Sequence, residues 1–252
     1  MKVAIVTGVS RGLGESVAAF LLESGIHVYG ISRTINKKLQ EIAADNNIQY
    51  KHFYSDLGNL DNINQTIERI KMDVNNNKIT QMYVVNNAAV LNPIEKATST
   101  NGKEVVYHYQ VNVISPMIIL NTLLAQCNEQ NIPIVGANVT SGAANNPIYG
   151  WSAYCSSKAS LNMYTKTVAL EQEQLKTGNK IFAFNPGVMD TEMQAEIRKS
   201  DYEQFIDVDT FKDYKKQNLL SETEAVAGVL VDILTDEVNI QNGKIYNVSE
   251  YF

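Results

Sequence analysis

The chain has 252 residues, a net charge of -6, and apolar residues at 44% of its length. That length and apolar content describe a globular protein with a substantial core, within the size of a single α/β domain. The acidic balance weighs against nucleic acid or an anionic membrane as a partner.

The opening run Met1-Lys2-Val3-Ala4-Ile5-Val6 is too short for a signal peptide and carries no cleavage site. No stretch approaches the roughly 18 apolar residues of a membrane span. Two cysteines, Cys127 and Cys155, suit a reducing compartment and offer no metal-binding spacing. The expectation is a cytoplasmic protein without a metal.

The first β-rich run, Val3 to Val6, leads directly into Thr7-Gly8-Val9-Ser10-Arg11-Gly12-Leu13-Gly14. After a strand and before a helix, such glycines let the backbone approach a pyrophosphate. The helix N-terminus then supplies N–H groups and a positive dipole end. The spacing is Gly-x-x-x-Gly-x-Gly rather than the commoner Gly-x-Gly-x-x-Gly. A helical stretch follows from Gly14 to Glu23.

The second strand, His27 to Ile31, ends in Ser32-Arg33. A site for NAD would place Asp or Glu here to hold the ribose 2′-hydroxyl. Arg33, together with Arg11 in the glycine loop, instead suits a 2′-phosphate, because each guanidinium offers a fixed fork of donors. The cofactor expected is NADP(H).

Further along, helical stretches at Leu60 to Val74, Val105 to Gln126, Ala153 to Leu175 and Glu222 to Leu234 alternate with apolar strands. The strands are Met82 to Val85, Ile134 to Val139, Ile181 to Phe184 and Ile245 to Val248. Near-continuous apolar strands imply burial on both faces, and the alternation implies a parallel sheet. The fold predicted is α/β: one Rossmann-type domain over 1-252, a doubly wound parallel sheet of about seven strands with helices on both faces. One break interrupts the rhythm, about 186-221, rich in Met, Tyr, Phe and charge, a length usual for a substrate loop or lid.

Tyr154 has a lysine, Lys158, four residues on, one helical turn away on the same face, and Ser141 stands thirteen residues upstream. A nearby cation favours the phenolate, so the pair reads as a proton donor with a pKa below the usual value of about 10.

Thr7-Gly8-x-x-x-Gly12-x-Gly14, Asn86-Asn87-Ala88-Ala89, Asn112, Ser141, Tyr154-x-x-x-Lys158 and Pro186-Gly187 stand in the order, and near the spacings, of the short-chain dehydrogenase/reductase family. The chain resembles that family over essentially its whole length. It departs at Ala89, where the family usually has glycine; one methyl group there tightens the turn and removes no chemical group. Ser141 to Trp151, Pro186 to Ala195 and the ending Ser249-Glu250-Tyr251-Phe252 resemble a narrower group. This is the bacterial benzil reductases forming (S)-benzoin, themselves similar to sepiapterin reductases, which reduce a carbonyl beside another carbonyl or an aromatic group with NADPH.

The resemblance implies roles for single residues. Tyr154 donates a proton to the substrate carbonyl oxygen, Lys158 lowers the Tyr154 pKa and bonds the nicotinamide ribose, and Ser141 steadies the same oxygen. Asn112 holds a water that links Lys158 to solvent. Gly8, Ser10, Arg11, Gly12, Leu13, Gly14 and Arg33 are assigned to the cofactor. So are Asp56 and Leu57 at the adenine, Asn87 and Ala88 along the wall, and Pro186, Gly187, Val188 and Thr191 at the carboxamide end. Asn86 and Asn87 have a structural alternative as sheet fasteners, and Thr191 has one as a helix cap.

Other residues read as bland. His27, His52 and His108 fall away from the motifs, Cys155 reads as packing, and the charges from Lys212 to Lys216 as a solvated helix face. Tyr149, Trp151, Met189 and Met193 are candidates for an aromatic pocket. The function expected is NADPH-dependent reduction of a small-molecule ketone, an aryl ketone or 1,2-diketone. The alternatives are a 3-oxoacyl-carrier-protein reductase and a non-catalytic dinucleotide-binding protein. A reductase acting on an acidic carrier would favour a basic entrance, whereas 190-215 carries mixed charge. The resemblance also implies a homodimer or homotetramer.

Overall fold

The computed structural model describes all 252 residues. Seven strands form one parallel sheet: β1 (Lys2–Thr7), β2 (His27–Ser32), β3 (Tyr50–Tyr54), β4 (Gln81–Asn86), β5 (Ile134–Val139), β6 (Lys180–Asn185) and β7 (Ile245–Asn247), in the order β3-β2-β1-β4-β5-β6-β7. The order reverses between β1 and β4, and a doubly wound sheet opens its ligand crevice at the strand ends beside such a switch point.

Side-chain alternation along each central strand feeds two separate cores. Ala4 and Val6 of β1, with Tyr83 and Val85 of β4, pack against α1 (Gly12–Glu23) and α9 (Thr223–Thr235) on one face. Val3, Ile5, Met82 and Val84 pack on the other face against α3 (Leu60–Asn75), α5 (Ser115–Gln130) and α6 (Ser152–Leu175). Both faces are covered, so the strands are apolar throughout, as parallel strands must be.

Two elements lie outside the apolar runs. Edge strand β3 reads Tyr50-Lys51-His52-Phe53-Tyr54 and buries only Phe53 fully, while α2 (Lys37–Asp45) buries only Leu39 and Ala43. The expected helix at Val105 to Gln126 is longer. It runs from Gly102 to Gln130 as α4 (Gly102–Tyr109), a π-helical turn (Gln110–Ile114) and α5. This 29-residue helix is apolar and long enough to cross a membrane by length and composition, contrary to the sequence expectation. Its most apolar window is 61% buried inside the protein, where α5 forms part of one core.

The expected lid also has structure of its own. It holds α7 (Glu192–Ile197) and α8 (Val208–Lys216), and Ile197, Phe205 and Val208 bury into a third small core with Leu91, Trp151 and Tyr154. At its neck, Asp190 N–H donates to Ser221 O and Ser221 N–H to Val188 O, both at 3.0 Å.

Candidate active site

One cleft of about 1660 Å³ runs across the strand ends. It exceeds the few hundred to about 1,000 Å³ of a single small-ligand pocket, leaving room for two molecules end to end.

The glycine loop forms one end. Gly12 has φ of +59°, and an added Cβ there would meet only Thr191 Cγ2 at 3.8 Å, so the backbone lies open to the cleft. Gly14 is required for a different reason: a Cβ there would fall 2.3 Å from Gly8 O and 2.4 Å from Asn87 Nδ2. Helix α1 starts at this loop, and its cap residue, Arg11, makes no side-chain capping bond. The first N–H groups of a helix have no internal acceptor, so an anion fits there. Gly8, Ser10, Leu13 and Arg33 line the same end. Arg11 also lines it, but its guanidinium pairs with Glu192 of the lid at 2.5 Å.

Asp56 and Leu57 line the cleft beyond Arg33. Asp56 Oδ1 accepts from Gly58 N–H at 2.9 Å, which shapes the turn after β3, and from Tyr107 O–H at 3.4 Å. Tyr107, which the sequence reading passed over, lines the cleft and lies over Gly58 so closely that a Cβ there would sit 1.9 Å from its ring.

The Asn-Asn-Ala-Ala turn divides its work. Asn86 Nδ2 donates to Asn138 Oδ1 and to Pro116 O, fastening β4 to β5 and α5. Asn87 Nδ2 donates to Thr7 O, and the N–H groups of Asn87 and Ala88 donate to Thr7 Oγ1 at 3.0 Å. Asn87 and Ala88 line the cleft as expected. Ala89 is absent from the left-handed backbone positions, so its methyl brings no strain.

At the other end stand Ser141, Tyr154 and Lys158. Ser141 caps a short 3-10 turn by accepting from Ala143 N–H at 3.2 Å, which leaves its own proton free. Lys158 Nζ lies 5.7 Å from the Tyr154 ring centroid and donates to Val139 O at 2.9 Å. The two are 7% and 3% exposed. Burial decides both titrations: it pushes the Tyr154 phenol up to about 12 and Lys158 down to about 8. The adjacent Ser141 hydroxyl favours the phenolate and offsets part of the Tyr154 rise. This corrects the expectation of a phenol below 10. Spacing puts the cation near the phenol but does not report depth, and the loss of water decides the titration.

Asn112 stands behind the wall rather than in the cleft. Its Oδ1 accepts Val90 N–H and its Nδ2 donates to Val90 O, both at 2.8 Å, and Nδ2 also reaches His108 Nε2 at 2.9 Å. Both amide hydrogens are therefore occupied, and the side chain fastens the Val90 segment to the π-helical turn. His108, read from sequence as remote from the motifs, is fully buried with its ring 6.1 Å from that of Tyr154.

Pro186, Gly187, Val188 and Thr191 line the cleft, Thr191 on the side of Gly12. Thr191 caps α7, its Oγ1 accepting from Gln194 N–H at 3.3 Å. Of the aromatic-pocket candidates, Trp151, Met189 and Met193 line the cleft, whereas Tyr149 is 43% exposed and outside it. Trp151 stacks on Phe205 with centroids 4.9 Å apart and meets Tyr154 and Phe211 edge-on. Of the groups read as bland, His27 Nδ1 accepts Gln49 N–H, Cys155 Sγ lies 3.6 Å from Asn146 O, and on α8 Lys212 pairs with Asp209 and Lys215 with Asp190 of the lid neck. His52 is nearer the motifs than expected, its Nε2 lying 3.0 Å from Oγ of the cleft residue Ser32.

A nucleotide-sized cleft at the switch point, with a serine, a buried tyrosine and a buried lysine at one end, defines a dehydrogenase-type α/β enzyme. The chain belongs to the short chain dehydrogenase family, whose model matches residues 2–202. It is 35% identical over 251 residues, spanning 100% of both chains, to benzil reductase ((S)-benzoin forming) of Bacillus subtilis (strain 168). The Bacillus cereus protein of the same name is 33% identical over 250 residues, 99% of this chain and 100% of that one. Among solved structures, a short-chain dehydrogenase/reductase from Saccharomyces cerevisiae matches with a TM-score of 0.81 at 28% identity, over 98% of this chain and 96% of that one.

Proposed function

We propose that the protein is an NADPH-dependent carbonyl reductase acting on an aryl ketone or 1,2-diketone, such as benzil, which it converts to (S)-benzoin. One observation carries this reading: Ser141, Tyr154 and Lys158 meet the apolar wall of Trp151, Met193 and Phe211 in the same cleft as the glycine loop and Arg33. The relatives named benzil reductase point to the same substrate class.

Gly8, Ser10, Gly12 and Leu13 would hold the pyrophosphate, with Gly14 behind them letting α1 close on the loop, and Arg33 with Arg11 the 2′-phosphate. Asp56 and Leu57 would border the adenine, while Asn87, Ala88, Pro186, Gly187, Val188 and Thr191 enclose the remainder. When bound, NADPH supplies the hydride. Tyr154 hands its phenolic proton to the ketone oxygen, and Ser141, whose hydroxyl proton is uncommitted, donates a second hydrogen bond to the same oxygen. Lys158, held by Val139 O, carries the positive charge that steadies the phenolate left behind. Asn112 keeps the Val90 segment in place.

Two free cysteines, one of them buried, support a cytoplasmic setting. Ile114, Met163 and Leu170, exposed on the long helices, support a homodimer or homotetramer. The test is NADPH oxidation with benzil, 1-phenyl-1,2-propanedione, sepiapterin and an acetoacetyl thioester, with chiral analysis of the products. Turnover of the aryl diketones is expected, and turnover confined to the thioester rejects the substrate class.

A further inference from the structure

His108 is one helical turn before Asn112, fully buried, and held on three sides. Its Nδ1 lies 2.7 Å from Asn92 O, its Nε2 lies 2.9 Å from Asn112 Nδ2, and Ser157 Oγ stands 3.1 Å from Nε2. A carbonyl oxygen can only accept, so Nδ1 carries a hydrogen. The opposite nitrogen is fixed independently. The two groups of the Val90 backbone orient the Asn112 amide, with Oδ1 on Val90 N–H and Nδ2 on Val90 O. Asn112 therefore presents an N–H to His108, and Nε2 must offer its lone pair. Both ends of the ring specify one neutral tautomer.

We propose that His108 is a positioning residue, kept neutral with its proton on Nδ1, that locks Asn112 and the 90–92 segment to helix α6 behind Tyr154. This rests on the carbonyl-reductase reading for its kinetic consequence, but not for its geometry. The ring joins three elements: the cleft-lining segment after β4 through Asn92 and Asn112, the π-helical turn through Asn112, and α6 through Ser157 and the edge of the Tyr154 ring. With Nε2 an acceptor, the single Ser157 hydroxyl hydrogen lies between two acceptors, Nε2 at 3.1 Å and Tyr154 O at 2.8 Å, so the clamp reaches the backbone of the proton donor.

The groups facing the ring set its response to pH. They are Asn92 from the loop, Tyr109 and Asn112 from its own helix, and Tyr154, Ser157 and Lys158 from α6. Burial holds the imidazole below its usual 6.5; the Asn92 hydrogen bond opposes this and the Lys158 charge adds to it. A proton on Nε2 would set an N–H against the Asn112 N–H, two donors face to face, and add a cation beside Lys158. Acid therefore opens the clamp, and the open state is the inactive one.

Two measurements on the whole protein test this. Nitrogen-15 NMR of the three histidine side chains, assigned with His108→Gln, needs no turnover. It should find His108 neutral with the hydrogen on Nδ1 below the usual 6.5. An Nε2–H tautomer, or an ordinary titration near 6.5, overturns the proposal even if no ketone is reduced. The second measurement is kcat against pH, where the wild type should lose activity on the acid side. His108→Leu should lower kcat about tenfold or more with the NADPH KM within about twofold, the cost of a slightly misplaced donor. In His108→Gln the amide oxygen can accept from Asn112 without titrating, so it should restore most of the lost kcat and flatten the acid limb. Wild-type kcat with an unchanged pH profile in His108→Leu rejects the positioning role. A wild type that reduces no ketone rejects the functional reading and leaves the NMR result to decide on His108.

Discussion

Glu192, the first residue of lid helix α7, grips Arg11 of the glycine loop at 2.5 Å. The pair spans the cofactor end of the cleft and occupies one of the two guanidiniums expected at the 2′-phosphate. Both side chains are about two-thirds exposed, so the pair contributes at most about 1 kcal/mol. Glu192→Gln removes the competitor and a negative charge near the phosphate. NADPH affinity should rise by about two- to fivefold, with NADH affinity unchanged, in a fluorescence titration. Equal gains for both cofactors would show that Arg11 does not meet the 2′ position.

Arg33 has no such partner among the ion pairs. Arg33→Asp replaces a donor fork with a carboxylate suited to a 2′-hydroxyl. NADPH should lose about ten- to a hundredfold in kcat/KM, on the scale of a lost charge-assisted hydrogen bond, while NADH gains. An unchanged NADPH to NADH ratio defeats this assignment.

Tyr154→Phe removes the proton and keeps the ring that packs against Trp151 and His108. Ketone reduction should fall by about a thousandfold or more, within the range general acids supply, while NADPH still quenches protein fluorescence. Near-normal turnover in this variant would remove Tyr154 from the mechanism.

Lys158 is a buried cation with a single hydrogen bond, to Val139 O. Its fall from 10.5 to about 8 corresponds to about 3 kcal/mol of destabilisation. Below pH 8 the charge is present in both folded and unfolded chains, so the whole cost is felt. Between pH 8 and 10.5 the folded protein sheds the proton first, and stability rises. Lys158→Met should abolish turnover yet raise Tm by about 3–6 °C at pH 7, after allowing for the orphaned Val139 carbonyl. The variant should also lack the wild-type rise in stability from pH 7 to 10. A lower Tm in the variant would mean that Lys158 is stabilised by more than burial allows.

Phe211 sits edge-on to Trp151 and Phe205 at 5.6 Å and 5.4 Å and borders the cleft. Phe211→Ala should raise the benzil KM by about tenfold, the loss of a well-packed aromatic contact, and leave 2,3-butanedione nearly unaffected. Equal effects on both diketones would place Phe211 outside the substrate pocket.

Much of this was legible in the sequence because apolar strands and glycine loops obey local rules. β1, β2, β4, β5 and β6 each show an apolar run, since both faces of a central parallel strand are covered, and the short edge strand β7 is marked by Ile245 and a buried Tyr246. β3 lies at an edge, where Lys51 and His52 are only half-buried, and it leaves no such run. The lid helices α7 and α8 are short and their anchors, Ile197, Phe205 and Val208, meet Trp151 from far along the chain. No local period reports that. His108 was missed although its signal was present: it lies four residues before Asn112, the same one-turn spacing that tied Tyr154 to Lys158. Spacing also misjudged the Tyr154 pKa, because it identifies neighbours and says nothing of depth.

The hydrogen-bonded neck of the lid has a consequence for how such a protein can diversify. The Val188 and Asp190 backbones meet that of Ser221, so the residues between them leave and rejoin the rest of the fold at nearly one point. The ends of the segment stay together whatever lies between, and a longer loop adds only slowly to the closure entropy. The stretch from Thr191 to Leu220 is therefore exchangeable as a cassette. A transplanted segment of another length could bring a new wall to the cleft while Ser141, Tyr154 and Lys158 stay where β5 and α6 put them.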